Sequence, residues 1–202
     1  MISTTSTPCY LLAGGRSQRF DGDKAREQID GQSQLVRLKL ILEELGHLVF
    51  VVADDRVRFA DLDIKCLEDL KANCGPLAGL GAALQHRLDH FGEGWLLLCN
   101  CDQLKWQINH FLQLAEQANN EVCFSGFCGE GERIEPMPAL YHTSLQDTVR
   151  KQLAGEDLGL QSLLRRAFEL GFSLAKVKGE LPSAQSFNTR EELHKLLKRA
   201  RE

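Results

Sequence analysis

No stretch of this sequence is apolar for long enough to cross a bilayer, and the first eight residues, Met1 to Pro8, lack both the basic patch and the long apolar run of a secretory signal. Membrane residence and export are therefore not expected, and a cytoplasmic location is. An excess of positive charge is missing too. With 24 Lys and Arg against 28 Asp and Glu, the formal charge is -4, which leaves no broad basic face to displace counterions from nucleic acid. Any phosphate the protein holds must be bound locally. The seven cysteines (9, 66, 74, 99, 101, 123 and 128) are odd in number, and the chain is too large to need staples. They also lack the paired knuckles of a structural zinc site, so buried, reduced thiols are expected. His86 and His90 stand four apart on one helix face without a third ligand motif, which makes them a core-edge or solvated pair.

What remains is an ordinary globular composition, 43% hydrophobic and 26% charged, in 202 residues, and one domain over 1–202 is expected. Short β-type runs alternate with helix-type stretches, the pattern of an α/β fold. Cys9 to Leu12 reads as a strand, Gln34 to Leu45 as a helix, and His47 to Val52 as a strand. Leu35, Leu38, Ile41, Leu42 and Leu45 form one apolar stripe on that helix, and Gly46 supplies its stop. A helix follows Pro76. Trp95 to Cys99 is a continuous apolar run, as expected of a central strand covered on both faces. Glu121 to Ser125, Ala139 to Tyr141 and Phe172 to Val177 read as strands. Thr143 to Leu153, Leu160 to Leu170 and Thr189 to Arg201 read as helices. The stretch from Gly126 to Pro138, rich in Gly, Pro and charge, reads as a loop or a lid over a site.

The segment after the first strand runs Leu12, Ala13, Gly14, Gly15, Arg16, Ser17, Gln18, Arg19, Phe20, Asp21, Gly22, Asp23, Lys24. Its paired glycines let the backbone approach a ligand closely, and amides freed at such a turn form an anion-binding concavity. Arg16, Arg19 and Lys24 outweigh Asp21 and Asp23 there. The segment has no Gly-Lys-Ser/Thr end and no third glycine at the dinucleotide-binding spacing, which disfavours a P-loop kinase and a dehydrogenase. Asp102 lies just beyond the apolar Trp95 run, at the carboxyl end of a predicted central strand, where open α/β sheets place their ligands. Its hard carboxylate oxygens suit Mg²⁺.

Leu-Ala-Gly-Gly-x-Ser-x-Arg-Phe followed by Asp-Lys resembles the signature loop of the molybdenum cofactor guanylyltransferases and their glycosyltransferase-A-like relatives. The likeness continues in order through Leu67-Glu68-Asp69, Gly75-Pro76-Leu77-Ala78-Gly79, Cys101-Asp102, Gly131-Glu132-Arg133 and Phe187-Asn188-Thr189. The resemblance implies a three-layer α/β sandwich with a mostly parallel, Rossmann-like central sheet. It implies that Leu12, Ala13, Gly14 and Gly15 cradle base and phosphates, that Lys24 contacts phosphate oxygens, and that Asp69 and Gly75 belong to the nucleotide site. Asp102 and, by position, Asn188 would hold Mg²⁺. The reaction implied is transfer of GMP from GTP to molybdopterin with release of pyrophosphate, served by Arg19, Lys24 and Asp102. Arg133 is a candidate clamp for an acceptor phosphate. Transient partners by family habit are other cofactor-biosynthesis proteins and molybdoenzymes.

Two positions depart from the family pattern: Asp21 stands where relatives usually carry glycine, and Leu104 where they usually carry proline. The first brings negative charge near the triphosphate, and the second bears on the acceptor pocket. The alternatives are the same chemistry with CTP or another phosphorylated acceptor, and a nucleotide-binding paralogue of weak activity.

Overall fold

A computed structural model of the protein describes residues 2–14, 20, 22–71, 74–129, 133–179 and 181–199. The first half alternates strand and helix: β1 (Cys9–Leu12), α1 (Gln34–Glu44), β4 (Val49–Ala53), β5 (Cys66–Glu68), α2 (Gly75–Phe91) and β6 (Trp95–Asn100). A two-residue hairpin, β2 (Gln28–Ile29) with β3 (Gln32–Ser33), precedes α1. The second half adds α3 (Ile108–Gln117), β7 (Val122–Cys128), β8 (Ile134–His142), α4 (Gln146–Leu153), α5 (Leu160–Glu169), β9 (Ser173–Val177) and α6 (Arg190–Arg199).

Seven strands form one sheet in the order β5-β4-β1-β6-β8-β7-β9, with β8 alone antiparallel to its neighbours. Alternation along each strand feeds two cores. Tyr10, Leu12, Leu96 and Leu98 face α2, α4 and α5, whereas Cys9, Leu11, Leu97 and Cys99 face α1 and α3. Helices on both faces make the expected three-layer α/β sandwich with a mostly parallel sheet. Among the described residues no helix is long and apolar enough to cross a membrane. All seven cysteines are free thiols, five of them buried.

Element boundaries follow local chemistry. Helix α1 stops at Glu44 because Gly46, at φ +88°, donates its N–H to the Glu43 carbonyl in a turn that disfavours any side chain. Thr143–Leu145 forms a separate 3₁₀ turn, so α4 begins three residues later than the apolar pattern suggests.

The reading of 126–138 as a loop or lid is corrected: β7 extends to Cys128, β8 begins at Ile134, and Cys128 pairs with Ile134. Pro136 and Pro138 masked this strand. Both lie where the β7–β8 register shifts, between Gly126 and Cys128, so their missing N–H groups leave little ladder to break. Besides the β2–β3 hairpin, β5 and α3 carried no assignment from sequence. The first is a three-residue edge strand. The second is short but closed by a Gln107–His110 capping box.

At the amino end of β6, Arg87 of α2 ties the turn together. It donates from Nε to the Trp95 carbonyl at 3.1 Å, from Nη1 to Gly92 at 2.6 Å and from Nη2 to Glu93 at 3.2 Å. Its guanidinium also lies over the Phe91 ring, 5.7 Å from the centroid. Arg87→Met leaves three carbonyls short of donors, a cost of about 2–4 kcal/mol, and should lower Tm by roughly 5–12 °C. Arg87→Lys should recover little, since an ammonium cannot reproduce the planar fork. Thermal unfolding followed by circular dichroism checks both.

Candidate active site

Strands β1, β4, β5 and β6 run parallel, so their carboxyl ends open on one edge of the sheet. Leu12 and Ala13 are buried there at the end of β1. Ala13 N–H donates to the Val52 carbonyl at 2.9 Å, and the Leu12 carbonyl accepts from Cys101 N–H at 3.1 Å. The chain leaving β1 is thereby held between the exits of β4 and β6.

Asp69 follows β5, with its N–H on the Ala53 carbonyl at 3.0 Å. Its carboxylate fits between two glycines. A Cβ added to Gly14 would stand 3.4 Å from Asp69 Oδ2, and one added to Gly79 would stand 3.3 Å from Oδ1 and 2.8 Å from Leu12 Cδ2. The small residues at these two positions let the backbone and the carboxylate meet closely. Burial, then the neighbouring Asp54, pushes the Asp69 carboxyl up to about 6, partly offset by Arg58. Gly75 opens α2 in the left-handed region, at φ +61°, a conformation costly for other residues. Pro76 follows in the first turn.

Lys24, Asp102 and Asn188 converge although 78 and 164 residues separate Lys24 from the other two. Lys24 Nζ lies 3.4 Å from Asp102 Oδ2 and donates to Asn188 Oδ1 at 2.9 Å. Asp102 Oδ1 is buried and has no hydrogen-bond partner among the described residues. Burial raises the Asp102 carboxyl above its usual range, with Lys24 pulling the other way. A buried carboxylate with one oxygen unpartnered is costly, and a cation would relieve that cost. The hard oxygens of Asp102 and Asn188 fit Mg²⁺, and the ammonium between them already serves as a cation.

Asn188 is also the neighbour of a helix cap. Its N–H donates to Glu192 Oε2 at 2.6 Å, while Thr189 Oγ1 accepts from Glu192 N–H at 3.2 Å. The capping role and the contact with Lys24 coexist, because one uses the backbone and the other the side chain. The departure at Leu104 has a local account: its N–H donates to the Gln185 carbonyl at 2.8 Å, a bond proline cannot make, and its side chain is buried with Phe20, Phe187 and Leu193. Gly15, Arg16, Arg19, Asp21, Gly131 and Glu132 lie outside the described residues.

Other contacts at this edge were not read from sequence. Asp23 caps the turn Lys24–Arg26 by accepting from Ala25 N–H at 3.0 Å. Arg58 bonds Asp23 at 3.0 Å and Asp54 at 2.5 Å, tying the turn that carries Lys24 to the exit of β4. No spacing rule relates residue 23 to residues 54 and 58 before the strand order is known. By contrast His86 and His90 stay away from this edge. Their rings stack at 4.2 Å, and His86 Nδ1 meets the Tyr10 hydroxyl at 2.9 Å, a core-edge pair as expected.

The profile of the MobA-like NTP transferase domain family matches residues 9–171. A molybdenum cofactor guanylyltransferase from Serratia proteamaculans is 29% identical over 188 residues, covering 90% of this chain and 89% of the relative. A probable molybdenum cofactor guanylyltransferase from Aquifex aeolicus is 24% identical over 193 residues, covering 94% of this chain and 89% of the relative. Among solved structures, molybdopterin-guanine dinucleotide biosynthesis protein A from Archaeoglobus fulgidus superposes with a TM-score of 0.74 at 18% identity, covering 96% of this chain and 99% of that one. The strand exits, the glycine-flanked aspartate and the matched span agree: the chain belongs to the MobA-like NTP transferase domain family and is a nucleotidyltransferase.

Proposed function

We propose that the protein transfers GMP from GTP to molybdopterin with Mg²⁺. In the reaction an acceptor phosphate oxygen attacks the α-phosphorus, the bond between the α- and β-phosphates breaks, and pyrophosphate leaves with the electron pair. The observation that carries this reading is the convergence of Lys24, Asp102 and Asn188 at the carboxyl edge of the parallel strands. The named activity of the relatives from Serratia proteamaculans and Aquifex aeolicus supports the choice of substrates.

Two polyanions must meet for this chemistry, so positioning and charge neutralisation matter more than covalent help from the protein. Asp102 and Asn188 would hold Mg²⁺, which would supply charge neutralisation at the phosphates. Lys24, released from those oxygens, would bind phosphate oxygens, and Arg19 is assigned the same task. Leu12, Ala13, Gly14 and Gly15 would cradle the nucleotide, with Gly75 at the base-side wall. Asp69 can accept from the two adjacent N–H groups on the edge of guanine, a donor pair that cytosine does not offer.

Lys24→Ala should lower kcat/KM about 10²- to 10³-fold, the usual cost of removing a preorganised charge, while the circular dichroism spectrum stays that of the folded wild type. Pyrophosphate release in the presence of molybdopterin and each of GTP, CTP, ATP and UTP tests the reading as a whole. Release confined to GTP is expected. Release confined to CTP would change the nucleotide, and none with any nucleotide would overturn the catalytic assignment.

Asp69 predicts a pH dependence. Its folded pKa lies near 6, above the ordinary 3.8, so the apo protein loses stability as pH rises from about 4 to about 6. GTP recognition needs the carboxylate and should strengthen over the same rise, then level off above about 7. Asp69→Asn should raise the apo Tm at pH 7.5 by roughly 2–4 °C, with solvent screening allowed for, and remove the pH dependence of GTP affinity. Calorimetric titration of GTP from pH 5 to 8 measures it.

A further inference from the structure

The backbone on either side of Asp102 is held by an unusual arrangement. Gln34, the first residue of α1, is fully buried. Its carboxamide nitrogen donates to the Cys101 carbonyl at 3.1 Å and to the Gln103 carbonyl at 2.5 Å, the two carbonyls that flank Asp102. Arg37, one turn on, orients that carboxamide by donating to Gln34 Oε1 at 3.3 Å, and donates to the Leu104 carbonyl at 2.7 Å. The remaining carbonyl of the segment, that of Asp102, accepts from Phe187 N–H at 3.1 Å. Every carbonyl from Cys101 to Leu104 therefore has a donor, and three of the four are supplied by two side chains of one helix.

We infer that Gln34, oriented by Arg37, is a positioning residue for Asp102. A loop that leaves a strand has no ladder to fix it, so the aim of its side chain depends on what grips its backbone. Here the grip comes from a helix whose own start is anchored, since Gln34 N–H donates to the Glu27 carbonyl at 2.8 Å. Packing alone does not account for the amide. An apolar side chain of similar size would fill the same space and avoid the cost of burying a carboxamide, which is recovered only because both N–H groups and the oxygen are engaged. What the amide adds is a fixed pair of carbonyls with Asp102 between them. Groups that orient a metal ligand typically change metal affinity or activity about 10- to 100-fold when lost.

This inference rests on the reading of Asp102 as the Mg²⁺ ligand, so the test separates the two. GTP affinity is measured by calorimetry with Mg²⁺ and again with EDTA, in the full-length wild type, Asp102→Asn, Gln34→Leu and Arg37→Met. In the wild type Mg²⁺ should tighten GTP at least about tenfold, a coupling of ordinary size. Asp102→Asn should lose that gain. Gln34→Leu should keep its affinity in EDTA within about twofold, yet retain less than about a third of the Mg²⁺-linked gain, and Arg37→Met should fall between. A merely structural role would lower both affinities together or neither. If the wild type gains nothing from Mg²⁺, or Asp102→Asn keeps the gain, the metal assignment fails and the inference falls with it. If those two behave as expected and Gln34→Leu retains the full gain, the metal assignment stands and the inference alone is overturned. Should Gln34→Leu prove unfolded by circular dichroism, Arg37→Met decides: a full Mg²⁺ gain in that variant overturns the inference.

Discussion

The candidate site turns on one ammonium group held by two oxygens from distant parts of the chain. Lys24 Nζ bridges Asp102 and Asn188, and without that cation the buried Asp102 carboxylate would have no charged partner among the described residues. The geometry binds three segments into one edge: the turn after β1, the exit of β6, and the approach to α6. It also defines a chemistry. An oxygen pair that holds one cation can hold another, and under the proposed reaction a lysine displaced from it would be delivered to the anion that arrives with the metal. Nucleotide with Mg²⁺ is such an arrival, which is why a contact that looks structural in the free protein suits phosphoryl chemistry.

The rest of the fold serves that edge. Parallel strands put four carboxyl ends side by side, and the crossings between them bring Asp69 and Asp102 to the same rim. The two faces of the sheet do different work near it. Helix α2 packs its small residues closely enough that Gly79 leaves room for the Asp69 carboxylate, while α1 reaches past its own sheet contacts to grip the backbone around Asp102. The raised Asp69 and Asp102 carboxyls show the cost: both sites bury charge that the apo protein would be more stable without.

Much of this was legible in the residues themselves. The alternation of strand and helix gave the α/β class, and the position of Asp102 after an apolar run placed it at a strand exit. Asn188 needed the family likeness, because a polar residue before a helix is more simply a capping neighbour, and it is that as well. Other features stayed hidden for physical reasons. The β7–β8 ribbon contains Pro136 and Pro138, which read as breakers until the register shift that accommodates them is seen. Arg58 with Asp23, and Gln34 with the carbonyls of Cys101 and Gln103, pair residues tens of positions apart. Such pairs follow from strand order and helix orientation, which periodicity does not encode.

The most direct test of the central claim is a crystal structure of the protein with Mg²⁺ and a non-hydrolysable GTP analogue. The account predicts Asp102 and Asn188 oxygens on the metal, and Lys24 Nζ withdrawn from both and resting on phosphate oxygens. Lys24 still bridging Asp102 and Asn188, with the nucleotide bound elsewhere or the metal held by other residues, would contradict it.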